Sequence, residues 1–474
     1  MARFYGVNKM DQLKKNNGGF WLALFQSMAF VAPAASVASF FTTGVAAIGG
    51  SLPLTYIIAT FGVLSAMYMD YSFAKRISHA GGYYAFVRSG LGNKLGTLSA
   101  WFYLYDMIAA IAGFSTLYFG AIVAPYIPFL NTSPYGWLPL SLIPFAIVFF
   151  FLWNGLRPSL WYTLISSVAE ISFLVIGAII IIILLGSKNT LAPFTLTGHP
   201  ISALGLATVY SVLSFVGAGS VIALSEEIKN PRKNIPKALV IVALLAAAVY
   251  ILASYAVVVG WGLSNISSFA TSTNPGITVY ARYLGPVGLV IFVVLVANSF
   301  ISNGIAQGNA GSRTAYSMAR DNILFSSRWA KVNERTGAPR MVIGIMIIVT
   351  FILMIVFGLI FGPFEGGTIL ITAEAALLYI IHILGDISLP IYAKRKLKYR
   401  LKAYLPLLLG PLPATIVYAV AEYGVFIPIP AYPNSIYVYG TLALIGVGIV
   451  LAITIRHKPV HVDQSIFEQE AETK

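Results

Sequence analysis

Cysteine is absent from the chain, which excludes disulfides, thiolate catalysis and cysteine-ligated metals together and leaves the redox compartment open. Charge is almost as scarce. Only 10% of the 474 residues are charged and 58% are hydrophobic, with 16 acids and 5 histidines in all. A soluble globule would carry roughly a quarter charged residues. Most apolar stretches here are long enough to cross a bilayer, so the composition is that of a polytopic membrane protein. No Ser/His/Asp order, HExxH pair or phosphate-cradling glycine loop stands in a plausible context, and the histidines read as residues of loops or span ends. An enzyme, a cofactor and a metal centre are therefore not expected.

Hydropathy gives twelve candidate spans, starting near residues 20, 52, 95, 137, 160, 203, 236, 286, 341, 367, 403 and 434. The net charge of +14 would suit a nucleic-acid binder if the cations clustered on one soluble face. They do not. With a cytoplasmic N-terminus, 28 of the 30 Lys and Arg residues fall in inside segments, and only Lys188 and Arg282 lie outside. That split follows the positive-inside rule for a multi-pass cell-membrane protein with both termini cytoplasmic, and it accounts for the basicity without nucleic acid. The first apolar run is too long for a signal h-region and reads as a retained helix. Asn131-Thr132-Ser133 and Asn265-Ile266-Ser267 match glycosylation sequons in outside loops, triplets that also arise by chance.

Two spans carry breaks at mid-depth. The first contains Val31-Ala32-Pro33-Ala34-Ala35-Ser36 and the sixth contains Ser214-Phe215-Val216-Gly217-Ala218-Gly219. Pro33 precedes Pro53, at the start of the next span, by 20 positions, and Gly217 precedes Pro236 by 19. This shared register, with five spans per unit and two left over, predicts an inverted repeat of five plus five helices followed by two accessory helices. The resulting division is a cytoplasmic leader (1–19), a ten-helix core (20–392), two accessory helices (393–456) and a polar, disordered tail (457–474).

An interrupted helix leaves peptide groups without helical partners, and at membrane depth protein or ligand must satisfy them. A zwitterion fits such a gap. Its carboxylate would meet the positive end of the half-helix at Ala34, Ala35 and Ser36, and its ammonium the carbonyls near Phe30, Val31, Ala32 and Phe215. Ser36, Ser214 and Ser220 offer hydroxyls, although a serine in a membrane helix commonly bonds its own backbone. Phe215, beside Gly217 and Gly219, is placed to close over the ligand. Ionisable residues inside spans are costly and point to function. Asp106 (third span), Glu170 (fifth) and Glu374 (tenth) have no Lys or Arg at comparable depth, which suits proton carriers better than permanent charges. Asp70, Asp386 and Glu422 lie near span ends, where solvent access is expected. Sodium is the competing coupling ion, with Ser299, Ser302 and Asn303 of the eighth span as candidate oxygens facing the first.

The stretch SFVGAGSVIALSEEIKNPRKNIPKA (Ser214 to Ala238) resembles the sixth helix and following loop of the amino acid/polyamine/organocation superfamily of transporters. HAGGYYAFVRSGLG (His79 to Gly92) and SRTAYSMARDNILFSSRWAKVNERTGAPR (Ser312 to Arg340) resemble its segments between helices two and three and from helix eight to nine. The likeness runs to about residue 400. It implies an all-α, LeuT-like fold of twelve transmembrane helices, with the first and sixth interrupted around an amino acid or polyamine substrate. In this comparison Glu170 stands where some proton-coupled members carry a lysine in place of a sodium ion. An acid cannot imitate a fixed cation, so Glu170 would act by gaining and losing a proton, or by helping to bind an ion. Two further departures are Ala32-Pro33-Ala34-Ala35-Ser36 in place of a Gly-Ser-Gly type break, and Gly219 where many members place an acid. The expected function is secondary active amino acid transport by proton symport or exchange. The alternatives are cationic amino acid or polyamine transport and sodium-coupled amino acid symport.

Overall fold

Proline and glycine set where the helices begin and bend. The computed structural model describes residues 12–196, 200–272, 274–397 and 401–455, so the tail at 457–474 and residues 1–11 of the leader lie outside the described residues. The first span is two helices, Phe20–Val31 and Pro33–Ile48, separated by Ala32 alone, which sits in the left-handed region (φ 50°, ψ 66°). Pro33 follows as the first residue of the second half, where its missing N–H costs nothing. The second span is Leu52–Ala74, the third starts with Asn93–Ala110 and passes through π-helical turns at Ile111–Tyr118, and the fourth and fifth are Trp137–Trp153 and Leu156–Leu185. The sixth runs Ile201–Leu213, unwinds, and resumes as a short 3-10 segment, Ser220–Leu224.

The seventh span is Pro231–Trp261 and the eighth Pro275–Arg320, kinked where Gly285 adopts φ 71° ahead of Pro286. Arg340–Phe361 and Pro363–Tyr392 form the ninth and tenth. Leu401–Leu409 with Leu412–Phe426 forms the eleventh, and Ser435–Thr454 the twelfth. Among the described residues nine helical stretches are long and apolar enough to cross a membrane. One of them, Phe20–Ala74, contains both the first and second spans, and Trp137–Trp153 and Ala203–Leu213 are the shorter apolar helices. The seventh span corrects one expectation: Pro236 lies inside the helix and Pro231 opens it, so the matched proline spacing after the two breaks does not mark matched helix starts.

Packing partners occur in pairs related by a five-span shift. The first span packs on the seventh and the sixth on the second; the fifth packs on the eighth and the tenth on the third; the fifth packs on the seventh and the tenth on the second. This is the LeuT-like inverted repeat, with spans 11 and 12 applied to its side against spans 2, 3 and 10. The outer surface is apolar. On the fifth span Ile165, Ile176 and Ile183 are exposed, while Ser166, Ser167, Glu170 and Gly177 face inward, the inside-out polarity of a helix solvated by lipid.

Candidate functional site

The two breaks face each other. Gly217 holds φ 92°, and a side chain there would collide with the Phe30 ring, whose nearest atom is 1.6 Å from an ideal Cβ position. Only glycine permits both the backbone conformation and this approach. Tyr250 of the seventh span places its hydroxyl 3.2 Å from the Val31 carbonyl and 3.0 Å from that of Ser214, joining the two broken ends. Val31 also accepts from the Ser36 hydroxyl at 3.0 Å, the Phe30 carbonyl from the Asn303 amide, and the Ser214 hydroxyl shares a 2.8 Å bond with that of Tyr56. Phe215 is buried against the Tyr56 and Tyr250 rings. The carbonyls freed by the breaks are thus met by side chains of spans 7 and 8, while Tyr56 of span 2 holds the Ser214 hydroxyl. Ser220, by contrast, is buried with no partner for its hydroxyl among the described residues.

Glu170 sits at the positive end of the half-helix starting at Pro33. Its Oε2 accepts from the Ala34 N–H at 3.3 Å and the Ser299 hydroxyl at 2.6 Å. Its Oε1 accepts from Ser166 (2.8 Å), Asn298 (3.3 Å) and Ser302 (3.4 Å). The Ala35 N–H donates to Ser299 at 3.2 Å. The protein's own carboxylate therefore occupies the position an anionic ligand group would take at this helix end. Ser166 stands four residues before Glu170 on the same face, a pairing legible from spacing; Asn298 and Tyr250 carried no comparable signal in the sequence. Asn303 also accepts from the Ser115 hydroxyl, at 3.0 Å, within the π-helical turns of span 3.

A separate group of acids lies on the other side of the sixth-span break. Asp106 is fully buried, and among the described residues no group other than the Glu374 carboxyl stands within hydrogen-bond reach of its oxygens. Glu374 approaches it from the tenth span. Asp106 shares a small cavity of about 40 Å³ with Phe30, Phe215, Gly217, Gly219, Ser220, Tyr83, Tyr379 and His382. That space holds a water or so and no amino acid, so the site is closed around the breaks. Asp70 and Asp386, expected at solvent-accessible span ends, are buried, at 0% and 5% exposure. Asp70 is met by Tyr83 of the short helix Tyr83–Leu91, which the Ser388 hydroxyl ties to the tenth span through the Phe86 carbonyl (2.7 Å), while Asp386 is met by the Thr415 hydroxyl of span 11 at 2.7 Å. Tyr83 donates to Asp70 at 3.1 Å, and a side chain at Gly219 would begin 2.9 Å from the same Asp70 oxygen. The carboxylate absent from position 219 is thus supplied in space by span 2. His382, expected at a span end, is instead buried within span 10, stacked on Tyr418, and its Nδ1 has no partner among the described residues.

The face carrying most of the cations is closed by ion pairs. Arg313 and Glu227 meet at 2.7 Å with both side chains fully buried, and Glu227 also accepts from Asn17 at 2.8 Å. The leader is stitched to the segment after span 6 by backbone bonds from Asn17 to Glu227 and from Lys229 to Gly18, both 2.8 Å. Arg320 bridges Glu226 at 2.8 Å, and Arg88 lies 3.8 Å from Asp321. Burial opposes ionisation of Glu226, but the Arg320 guanidinium overrides it and holds the carboxyl down at about 2.

A family model for amino acid permeases matches residues 23–468. Among curated proteins, an uncharacterised protein of Methanocaldococcus jannaschii is 26% identical over 79% of this chain and 83% of its own length. The mouse cationic amino acid transporter 4 is 27% identical over 63% of this chain, a match that spans 48% of the mouse protein. An L-lysine transport protein of Corynebacterium glutamicum is 28% identical over 65% of this chain and 62% of its own.

Proposed function

The chain belongs to the amino acid permease family, and on that premise we propose that it is a secondary active amino acid transporter, working by proton symport or exchange. Substrate binds where spans 1 and 6 unwind, and access alternates across the membrane with both termini cytoplasmic. The residues proposed to meet it are Val31, Ala32, Ala34, Ala35, Ser36, Ser214, Phe215, Gly217 and Gly219. The division into leader, ten-helix core, two accessory helices and tail (1–19, 20–392, 393–456, 457–474) belongs to the same proposal.

The observation that carries this reading is the Glu170 carboxylate on the Ala34 N–H, with Ser299 bridging to Ala35. A substrate carboxylate needs the same N–H groups. Ionised Glu170 competes for them; a proton on Glu170 removes its charge, weakens its hold on the donors, and frees the helix end for substrate. Proton and substrate then load together, which is the logic of symport. Ser299 and Ser302 serve the sodium alternative, in which a cation beside ionised Glu170 has the same neutralising effect. Uptake of labelled amino acids into proteoliposomes, with an imposed pH gradient, with sodium replaced by choline, and with neither gradient, separates these modes. Absence of uptake or exchange over a broad amino acid panel defeats the reading.

A second reading, a carrier of cationic amino acids or polyamines, is supported by Asp106, which lines the cavity and, among the described residues, has only another acid, Glu374, within hydrogen-bond reach. Two relatives are named for cationic amino acid and lysine transport. An ammonium or guanidinium would satisfy these acidic oxygens. Competition by arginine, lysine and putrescine against a neutral amino acid decides between the two.

A further inference from the structure

On the basic face a cavity of about 540 Å³ opens between the leader, the turn joining spans 4 and 5, and the loop joining spans 8 and 9. Five cations line it, Lys14, Lys15, Arg157, Arg335 and Arg340, and among the described residues no acid does. None of the five lies within 4.0 Å of a carboxylate among the described residues, whereas Arg88, Arg313 and Arg320 on the same face all do.

The convergence is built by the backbone. Gly155 holds φ 98°, and a side chain there would begin 2.3 Å from the Thr336 carbonyl; Gly337 holds φ 71° with Lys14 3.0 Å from its Cβ position. The loop between them is closed by the Asn333 side chain, which accepts from the Thr336 N–H and hydroxyl, both at 3.1 Å. Arg340 is fixed over the Trp153 ring at 4.9 Å. Two long helices, Leu156–Leu185 and Arg340–Phe361, begin here, so their positive ends add to the same field. Five like charges and two helix ends in one concavity repel one another unless an anion joins them.

We propose that this cavity binds a phosphate-bearing anion, the head group of an anionic phospholipid in the cytoplasmic leaflet. Arg and Lys together with helix N-termini are the donor set phosphate takes. The lipid source follows from what lies beneath. Arg157, Trp161 and Ile165 recur at intervals of four down one face of span 5, and all are exposed, with Trp161 at 49% and Ile165 at 64%. A head group held by Arg157 therefore has an aromatic and then an aliphatic surface for its acyl chains.

The test uses the purified full-length protein in detergent, titrated with phosphatidylglycerol, phosphatidylcholine or inorganic phosphate while melting temperature is followed. Phosphatidylglycerol raises the melting temperature saturably and phosphatidylcholine does not. The double variant Arg157→Gln/Arg335→Gln, altered at two exposed side chains, weakens half-saturation roughly thirtyfold. Lys229→Gln/Lys233→Gln, which removes the same charge from exposed positions elsewhere on this face, leaves it unchanged. Equal weakening in both doubles overturns the site in favour of a diffuse surface potential. Equal stabilisation by inorganic phosphate overturns the lipid assignment. Neither outcome depends on what the protein carries.

Discussion

Glu170 and Asp106 are both buried in the bundle, on spans 5 and 3, yet Glu170 accepts five hydrogen bonds while Asp106, among the described residues, has only another acid, Glu374, within hydrogen-bond reach. Three of the five donors to Glu170 are hydroxyls, which reorient when the carboxyl gains a proton, and one is the N–H at a broken helix end. Around Asp106 the neighbours are Tyr, His and a second acid, and cations are missing. The difference separates two tasks that membrane acids perform. A carboxylate wrapped in donors can stay charged and exchange its partners, whereas one beside only another acid waits for a proton or a cationic guest.

The sharpest way to break this contrast is Glu170→Gln. Glutamine keeps the size and an acceptor but cannot be charged. In proteoliposomes, pH-driven accumulation should fall to the level without a gradient, a loss of about tenfold or more. Substrate-induced thermal stabilisation of the same variant should survive. Unchanged accumulation removes Glu170 from coupling.

Truncation to alanine should give the two sites opposite signs. Glu170→Ala strands Ser166, Asn298, Ser299, Ser302 and the Ala34 N–H, and should cost about 3 kcal/mol of apparent stability. Asp106→Ala removes an acid whose one hydrogen-bonding neighbour among the described residues is a second buried acid, Glu374, and should change stability by less than about 1 kcal/mol or raise it. Denaturation of the two variants side by side reads this directly. Equal destabilisation would mean that Asp106 has partners which the contrast denies it.

Selectivity sharpens the comparison further. If Asp106 receives a cationic side chain, Asp106→Asn should weaken competition by lysine or arginine about tenfold, equivalent to about 1.4 kcal/mol. Competition by a neutral amino acid should hardly move. A uniform loss for both ligand types would assign Asp106 to the shape of the cavity instead.

Much of the frame was readable beforehand because it rests on local chemistry. Ala32-Pro33 and Gly217 stand at the breaks since a left-handed residue, a proline and a glycine each act within a turn or so of themselves. The span count followed from long apolar runs. What stayed hidden depends on partners far away in the chain. Asp70 and Asp386 read as span-end residues because nothing local announces that Tyr83 reaches the first and Thr415 of span 11 the second. The same is true of Tyr250, whose hydroxyl reaches from span 7 to both breaks. Pro236 misled for the opposite reason: an N-terminal proline was expected, and the helix starts one turn earlier at another.

Glu226 completes the contrast as an acid paired with a permanent cation outside the spans. Its carboxyl is held at about 2 against an ordinary value of 4.5, with Arg320 overriding the effect of burial. A depressed value in the folded state means stability that is fully present above the ordinary value and is lost as pH falls toward about 2. The pair is only partly buried, at 26% and 23% side-chain exposure, so its contribution should be about 1 kcal/mol or less. The difference in melting temperature between the wild type and Glu226→Gln should therefore be constant between about pH 8 and 5 and shrink only below that. Each protein serves as the other's control for every other group that titrates. A difference that collapsed between pH 7 and 5 would show Glu226 gaining its proton near neutrality. Closure of the basic face would then respond to the same proton concentration proposed to drive Glu170, and the division between a fixed ion pair and a carboxylate proposed to titrate would fail.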